Sequence, residues 1–322
     1  MKAAPAPLLL GLGAVLFLGC SANPAVRRAD PPLAESASPS ASASVAPGPQ
    51  LGAPTRPRRF DVTIARHAVQ HLAGEIGPRH ATSPAFMEAA EWVTARFEQA
   101  GLRVRLQRVE TPGGVSWGVP VEAGASLNVI AATPDYVPDE PHLVVGAHLD
   151  TVPQAPGAED NASGVGVLLG VAQAIQDRET RLPVVLVAFG AEEPRGEGDA
   201  NHHYGSRAYV ESLTPGEREA VRGMISLDRV GVGSVVPVGS ADEGRDRPAD
   251  AVARAAKQAG VPVVRELNRS SDHWSFARAG LPGVRLGSTP YAGYHSAGDV
   301  PEVVDDRQLR CVGRIVLAWL SN

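Results

Sequence analysis

The 322-residue chain reads as an α/β protein, a three-layer sandwich with a mixed, mostly parallel central sheet and helices on both faces. Two observations predict this. Stretches of helical periodicity alternate with short β-rich runs from residue 62 to the C-terminus, and two of those runs, 143–147 (LVVGA) and 184–189 (VVLVAF), are apolar throughout. A strand open to water on one face alternates apolar and polar residues. A continuous apolar run is what a strand needs when helices cover both faces.

Taken in order, a first helix over about 62–75 carries Ile64, Ala68 and Leu72 on one face. A second, 84–100, places Phe86, Ala90, Val93 and Phe97 at helical spacing and stops at Gly101. β-rich runs follow at 103–109, 127–132 and 142–147. The apolar segment 164–176 reads as a helix, 183–189 as a strand and 223–227 as another strand. Helix 249–259, strand 261–265, a short helix near 272–279, strand 283–287 and a terminal helix complete the series. In the last helix Leu309, Val312, Ile315, Val316 and Trp319 make one apolar face, with Cys311 among them as a small buried hydrophobe. There is no internal repeat and no second linker, so residues 58–322 read as one domain.

The N-terminus reads as an address. The apolar run Leu8 to Leu18 spans about half of the roughly 20 residues that a membrane-crossing helix needs. It ends in Phe17-Leu18-Gly19-Cys20, and small residues ahead of a cysteine after such a core resemble the bacterial lipoprotein cleavage box. The resemblance implies a signal peptide over 1–19, a lipid on Cys20, and an exported lipoprotein anchored in the bacterial cell envelope. Phe17 departs from it, since that box usually has leucine there. Residues 20–57 are rich in Ala, Ser and Pro (SASPSASASVAPGPQ) and hold too little apolar surface to offset ordering entropy, so they read as a disordered tether. Thirty Lys and Arg against 35 Asp and Glu, a net charge of -5, argue against a nucleic-acid partner. Two cysteines exclude a disulfide scaffold, and the absence of a Cys-x-x-Cys pair excludes a thiolate zinc site or redox dithiol.

In open α/β sheets ligands bind beyond the carboxyl ends of the strands, so chemistry should appear where apolar runs stop. Run 142–147 stops at His148-Leu149-Asp150, which places a carboxylate close enough to orient an imidazole. The next loop offers Asp160 just before a helix. Run 183–189 leads into Glu192-Glu193, run 223–227 ends at Asp228, and Tyr294-His295 lies beyond 283–287. Singly these read as a helix cap, solvated loop charges and a loop histidine. Together, two imidazoles and the carboxylates of Asp160, Glu192, Glu193 and Asp228 at one edge would repel severely unless cations sat among them. Oxygen and imidazole donors without thiolate suit zinc, or cobalt or manganese.

The order His-x-Asp, then Asp, Glu-Glu, Asp and Tyr-His resembles the two-zinc aminopeptidase family over roughly residues 60–320. Glutaminyl cyclases and the transferrin-receptor ectodomain share its fold. The resemblance implies a hydrolase that removes N-terminal residues from peptides with a free N-terminus, using two divalent ions, zinc being the expected ion. It implies that Asp160 bridges the ions, that His148 and Asp228 complete one site, and that Glu193 and His295 complete the other. Glu192 would be the general base, Asp150 would orient His148, and Tyr294 would donate to the oxyanion. It also implies a cis peptide after Asp160, and it extends to the stretch Ser271–Val284.

The segment 194–204 is longer and more polar than the Gly-rich link common in aminopeptidases, and its His202-His203 reads as an exposed loop pair. His273 reads as structural, and His67, His71, His80 and His142 as surface or packing residues. Gly114-Val115-Ser116-Trp117-Gly118 matches a nucleophile elbow in letters, yet no helical pattern follows the serine. Gly164, Gly166 and Gly170 miss the dinucleotide spacing and read as helix-packing residues. The rivals are a one-zinc glutaminyl-cyclase-type acyltransferase, a carboxypeptidase or dipeptidase, and a catalytically silent binding protein. The cyclases tend to have Trp where this chain has Tyr294, which favours the peptidase.

Overall fold

A computed structural model describes residues 59–176, 180–242, 244 and 246–322. The expected signal peptide, Cys20 and the expected tether lie outside these residues. The first helix, α1 (Val62–Val69), is capped by the Asp61 carboxylate, which accepts from Thr63 N, and continues as a π-helical stretch, Gln70–Ile76. In α2 (Pro84–Gln99), Ser83 caps Phe86 N and Pro84 occupies the first turn, where its missing N–H costs nothing. Next come β1 (Arg103–Thr111), the hairpin β2 (Gly114–Ser116) and β3 (Val119–Val121), β4 (Gly124–Ala132), β5 (His142–His148), α3 (Ser163–Ile175) and β6 (Val184–Phe189). They are followed by α4 (Tyr204–Ser212), α5 (Pro215–Ala220), β7 (Val221–Leu227), β8 (Val236–Ser240) and α6 (Arg247–Ala259). The chain ends with β9 (Val263–Leu267), α7 (His273–Arg278), β10 (Gly283–Leu286) and α8 (Asp306–Leu320).

Eight strands form one sheet in the order β1-β4-β6-β5-β7-β10-β8-β9. The centre, β6-β5-β7-β10, is parallel, while β1 and β4 on one side and β8 against β10 on the other run antiparallel. Successive residues of the apolar runs divide between two cores. Leu143, Val145 and Ala147 of β5, with Val184, Leu186 and Ala188 of β6, enter the core shared with α1, α2, α3, α6 and α8. Val144, Val185, Val187 and Phe189 face the opposite core, closed by Tyr209 and Val210 of α4 and Phe276 of α7. The three layers are thus present, and the continuous apolar runs have the predicted cause.

The expected helices and strands are found with ends shifted by a few residues. Four features carry no usable pattern in the sequence. The β2–β3 hairpin is too short for periodicity, β8 is interrupted by Pro237, and α4 and α5 are brief and polar. The elbow-like Ser116 lies in that hairpin, with Trp117-Gly118 as its turn. Glycine spacing in α3 serves close packing, because a Cβ on Gly166 would lie 2.7 Å from Ala65 O of α1. Cys311 is buried in α8.

Candidate metal centre

The carboxyl ends of the parallel strands converge on one buried cluster. His148 closes β5, Glu192 and Glu193 follow β6 after two residues, Asp228 follows β7 directly, Asp160 enters from the loop ahead of α3, and His295 from the loop after β10. All six are buried. His148 Nε2 lies 3.1 Å from Asp160 Oδ1 and 3.8 Å from Asp228 Oδ1. His295 Nε2 lies 3.0 Å from Asp160 Oδ2 and 3.3 Å from Glu193 Oε1. Each oxygen of Asp160 therefore faces a different imidazole. Among the described residues two donor triads, His148-Glu192-Asp228 and His148-Asp160-Glu193, bring their ligand atoms within 4.8 Å of one another.

The loop carrying Asp160 is held from two sides. Asp299 accepts from Glu159 N at 2.8 Å and from Asp160 N at 3.1 Å. The buried Arg79 guanidinium donates to the carbonyls of Leu149, Pro156 and Gly157 at 2.8, 2.7 and 3.1 Å. The Asp160–Asn161 peptide is cis. Asp150 is placed differently from the simplest expectation. Its main-chain oxygen lies 3.1 Å from His148 Nδ1, nearer than its carboxylate at 3.7 Å. The carboxylate instead accepts from Glu192 N and Glu193 N at 3.0 and 3.1 Å, so it seats the glutamate pair while flanking the imidazole.

The residues fit a cation site. Glu193 Oε1 and Asp228 Oδ1 are buried and accept no well-aligned hydrogen bond, although His295 and Arg285 lie beside them, and the donor set is oxygen and imidazole throughout. Burial, opposed by His148 and reinforced by Asp228, Asp150 and Asp160, pushes the Glu192 carboxyl up to about 8. Burial and Asp160 push Glu193 to about 8 against the pull of His295. His295 is carried to about 10, because Glu193 and Asp160 outweigh the burial that would lower it. Burial likewise opposes ionisation of Asp228, but the Arg285 guanidinium at 3.0 Å and His148 hold it well below the usual carboxylate range. Divalent cations among these groups would relieve the repulsion.

The rim is aromatic. Tyr294 stacks on His295 with ring centroids 3.7 Å apart, Trp117 meets His295 edge-on at 4.4 Å, and the Arg229 guanidinium lies 4.4 Å over the Tyr294 ring. A roomier cavity of about 320 Å³ between α1, α2 and α3 is lined by residues such as Thr63, His67, Trp92 and Gln173 and collects no carboxylate, so it is not where this chemistry sits.

All eight residues singled out in the sequence thus lie at or beside one site, with Tyr294 on its rim. The reading of His203 is corrected: it is buried, 5% exposed, with Nε2 3.2 Å from Glu192 Oε1, because the 194–204 segment folds back over the strand ends. His202 is half-buried and lines the site. His273 is buried, its Nε2 2.8 Å from Asn268 O, in a structural place. His142 packs edge-on against Tyr136, and His67 and His71 against Trp92. Arg79 and Arg285 escaped the sequence reading, and Trp117 entered it only as part of the elbow-like run Gly114–Gly118, with no place at the site.

The chain is 30% identical over 188 residues to the uncharacterized protein YfbL of Escherichia coli, covering 55% of this chain and 52% of that protein. To aminopeptidase YwaD of Bacillus subtilis it is 29% identical over 205 residues, covering 60% and 44%. The chain thus spans about half the length of these curated relatives. Its fold matches a zinc aminopeptidase from Bacillus subtilis with a TM-score of 0.73 at 19% identity, covering 82% of this chain and 95% of the other. It also matches a Bacteroides thetaiotaomicron glutaminyl cyclase with a TM-score of 0.68 at 23% identity, covering 83% and 99%. Residues 128–320, more than half of the chain, match the model of peptidase family M28, and the chain belongs to that family.

Proposed function

We propose that this chain is a metal-dependent aminopeptidase holding two divalent ions, zinc being the expected pair, and releasing N-terminal residues from peptides with a free N-terminus. The observation that carries the reading is Asp160, whose two oxygens face His148 and His295 from opposite sides. His148, Asp160 and Asp228 would hold one ion, and Asp160, Glu193 and His295 the other. When bound, such a pair supplies Lewis acidity. Glu192, seated by Asp150, takes the proton of the attacking water and delivers it to the leaving amine. Burial and the nearby Asp160 carboxylate hold the Tyr294 phenol well above its ordinary range, so it remains a donor for the oxyanion of the tetrahedral carbon. The peptidase names of the relatives support the reaction class.

The test is a panel of aminoacyl anilides with free or blocked amines, each run chelated and again after zinc is restored. Zinc-restored cleavage confined to free-amine substrates is expected. Equal cleavage of blocked substrates would overturn the aminopeptidase reading. Cyclisation of N-terminal glutaminyl peptides without anilide cleavage would replace it with the acyltransferase. The lipid anchor on Cys20 belongs to the same proposal. Among the described residues no helix is long and apolar enough to cross a membrane, and a Cys20→Ser chain should lose its acyl mass and its membrane fraction.

A further inference from the structure

The 194–204 insertion is tied down along its length. Arg195 N donates to Asn201 O at 2.9 Å, and Val115 N of the hairpin donates to Arg195 O at 3.2 Å. That approach is so close that a Cβ on Gly114 would lie 1.9 Å from Arg195 O. At the outer end Asp199 accepts from Trp274 Nε1 at 3.1 Å and Arg278 Nη1 at 2.5 Å, fixing the loop to α7. Where the chain rejoins the strand ends, His203 N donates to Glu192 O at 2.9 Å and Tyr204 N to Ala191 O at 2.8 Å.

These ties deliver one side chain to one place. His203 sits directly ahead of α4 at φ 58, in the left-handed region that few residues other than glycine adopt. The backbone turn aims the imidazole inward, 3.2 Å from Glu192 Oε1. Among the described residues it is the one basic side chain paired with that carboxylate. Burial holds the imidazole below the usual histidine range. Asp150 fixes only the main chain of Glu192, which leaves the side-chain torsions to be set by something else.

We propose that His203 is a positioning residue, whose Nε2 holds the Glu192 carboxylate in the orientation from which it takes the proton of the attacking water. The inference rests on Glu192 being the base. A base must be held within about half an ångström of its working position, and partners of this kind are worth about 10- to 100-fold in rate. The insertion thereby carries the residue that steadies the base.

The experiment compares His203→Leu, which keeps bulk and loses the donor, with His203→Gln, whose amide nitrogen reaches the Nε2 position. Both are made in the full chain loaded with zinc. His203→Leu should lower kcat about 10- to 100-fold while KM and the number of zinc ions bound per chain stay unchanged, and His203→Gln should recover most of the loss. If His203→Leu fails to fold, His203→Asn, whose donor stops short, takes its place. Equal losses in the Leu and Gln variants, full activity in the Leu variant, or loss of zinc would each overturn the inference. Glu192→Gln is the control. If it is inactive while His203→Leu is not impaired, only the positioning role fails; if Glu192→Gln itself turns over, the base assignment fails.

Discussion

Replacing Arg79 by Met should cost about 3–5 kcal/mol of stability and weaken metal binding, although Arg79 touches none of the proposed ligands. Its guanidinium is fully buried and donates to five main-chain oxygens, those of Leu72, Gly77, Leu149, Pro156 and Gly157. Leu72 O and Gly157 O keep a second donor, from Gly77 N and Ala162 N. The oxygens of Leu149, Pro156 and Gly77 have no other donor among the described residues. Each stranded buried carbonyl costs about 1–3 kcal/mol, less where water can enter, which sets the range. The buried carboxylates of Asp299, Asp150 and Asp160 also lose a counter-charge. The segment released is the one that carries Asp150 and Asp160, so metal affinity should fall with stability. Urea unfolding of the metal-free protein, with calorimetric zinc titration alongside, measures both. Arg79→Lys should recover less than half, because an ammonium cannot span the same fork. A loss below about 1 kcal/mol, or a stable variant with unchanged zinc affinity, would refute the reasoning.

Asp160→Asn should reduce bound zinc from two ions per chain to at most one, measured by atomic emission on the dialysed protein; unchanged content would remove Asp160 from the bridge. Thermal midpoints of the metal-free protein should fall as pH rises from about 6.5 to 8. Glu192 and Glu193 sit at about 8 and His295 at about 10, so the folded state holds protons that the unfolded chain has released. Each such group contributes at most about 1.4 kcal/mol per pH unit, and saturating zinc should abolish the slope; a midpoint that rises over this window would contradict the cluster as drawn. Gly166→Ala should destabilise by about 1–3 kcal/mol, because its Cβ would meet Ala65 main chain that cannot yield cheaply, and chemical denaturation reads this directly.

The layers and most of the donors were legible because they depend on short-range information. A strand covered on both faces must be apolar at consecutive positions, and LVVGA and VVLVAF carry that signature without reference to anything distant. The rule that ligands gather where such runs end then picks out His148, Glu192, Glu193 and Asp228 from many charged residues. Sheet order was not legible, since β8 enters between β10 and β9 through pairings that its own residues, Pro237 among them, do not announce. The meeting of His295 with Asp160 joins positions 135 residues apart, and only the resemblance to a known family anticipated it.

Other roles belong to the fold alone. Arg79 lies in a loop with no pattern and acquires its meaning from carbonyls that the β5–α3 connection brings around it. Asp150 could be placed beside His148 from its spacing, yet its carboxylate reaches the Glu192 and Glu193 amides because β5 and β6 are parallel neighbours. His203 read as a solvated loop residue, because a polar insertion gives no local sign of folding back. Its burial follows from main-chain hydrogen bonds to Glu192 and Ala191. Local patterning thus records which faces are buried, while the pairing of distant backbone groups decides which polar side chains meet within them.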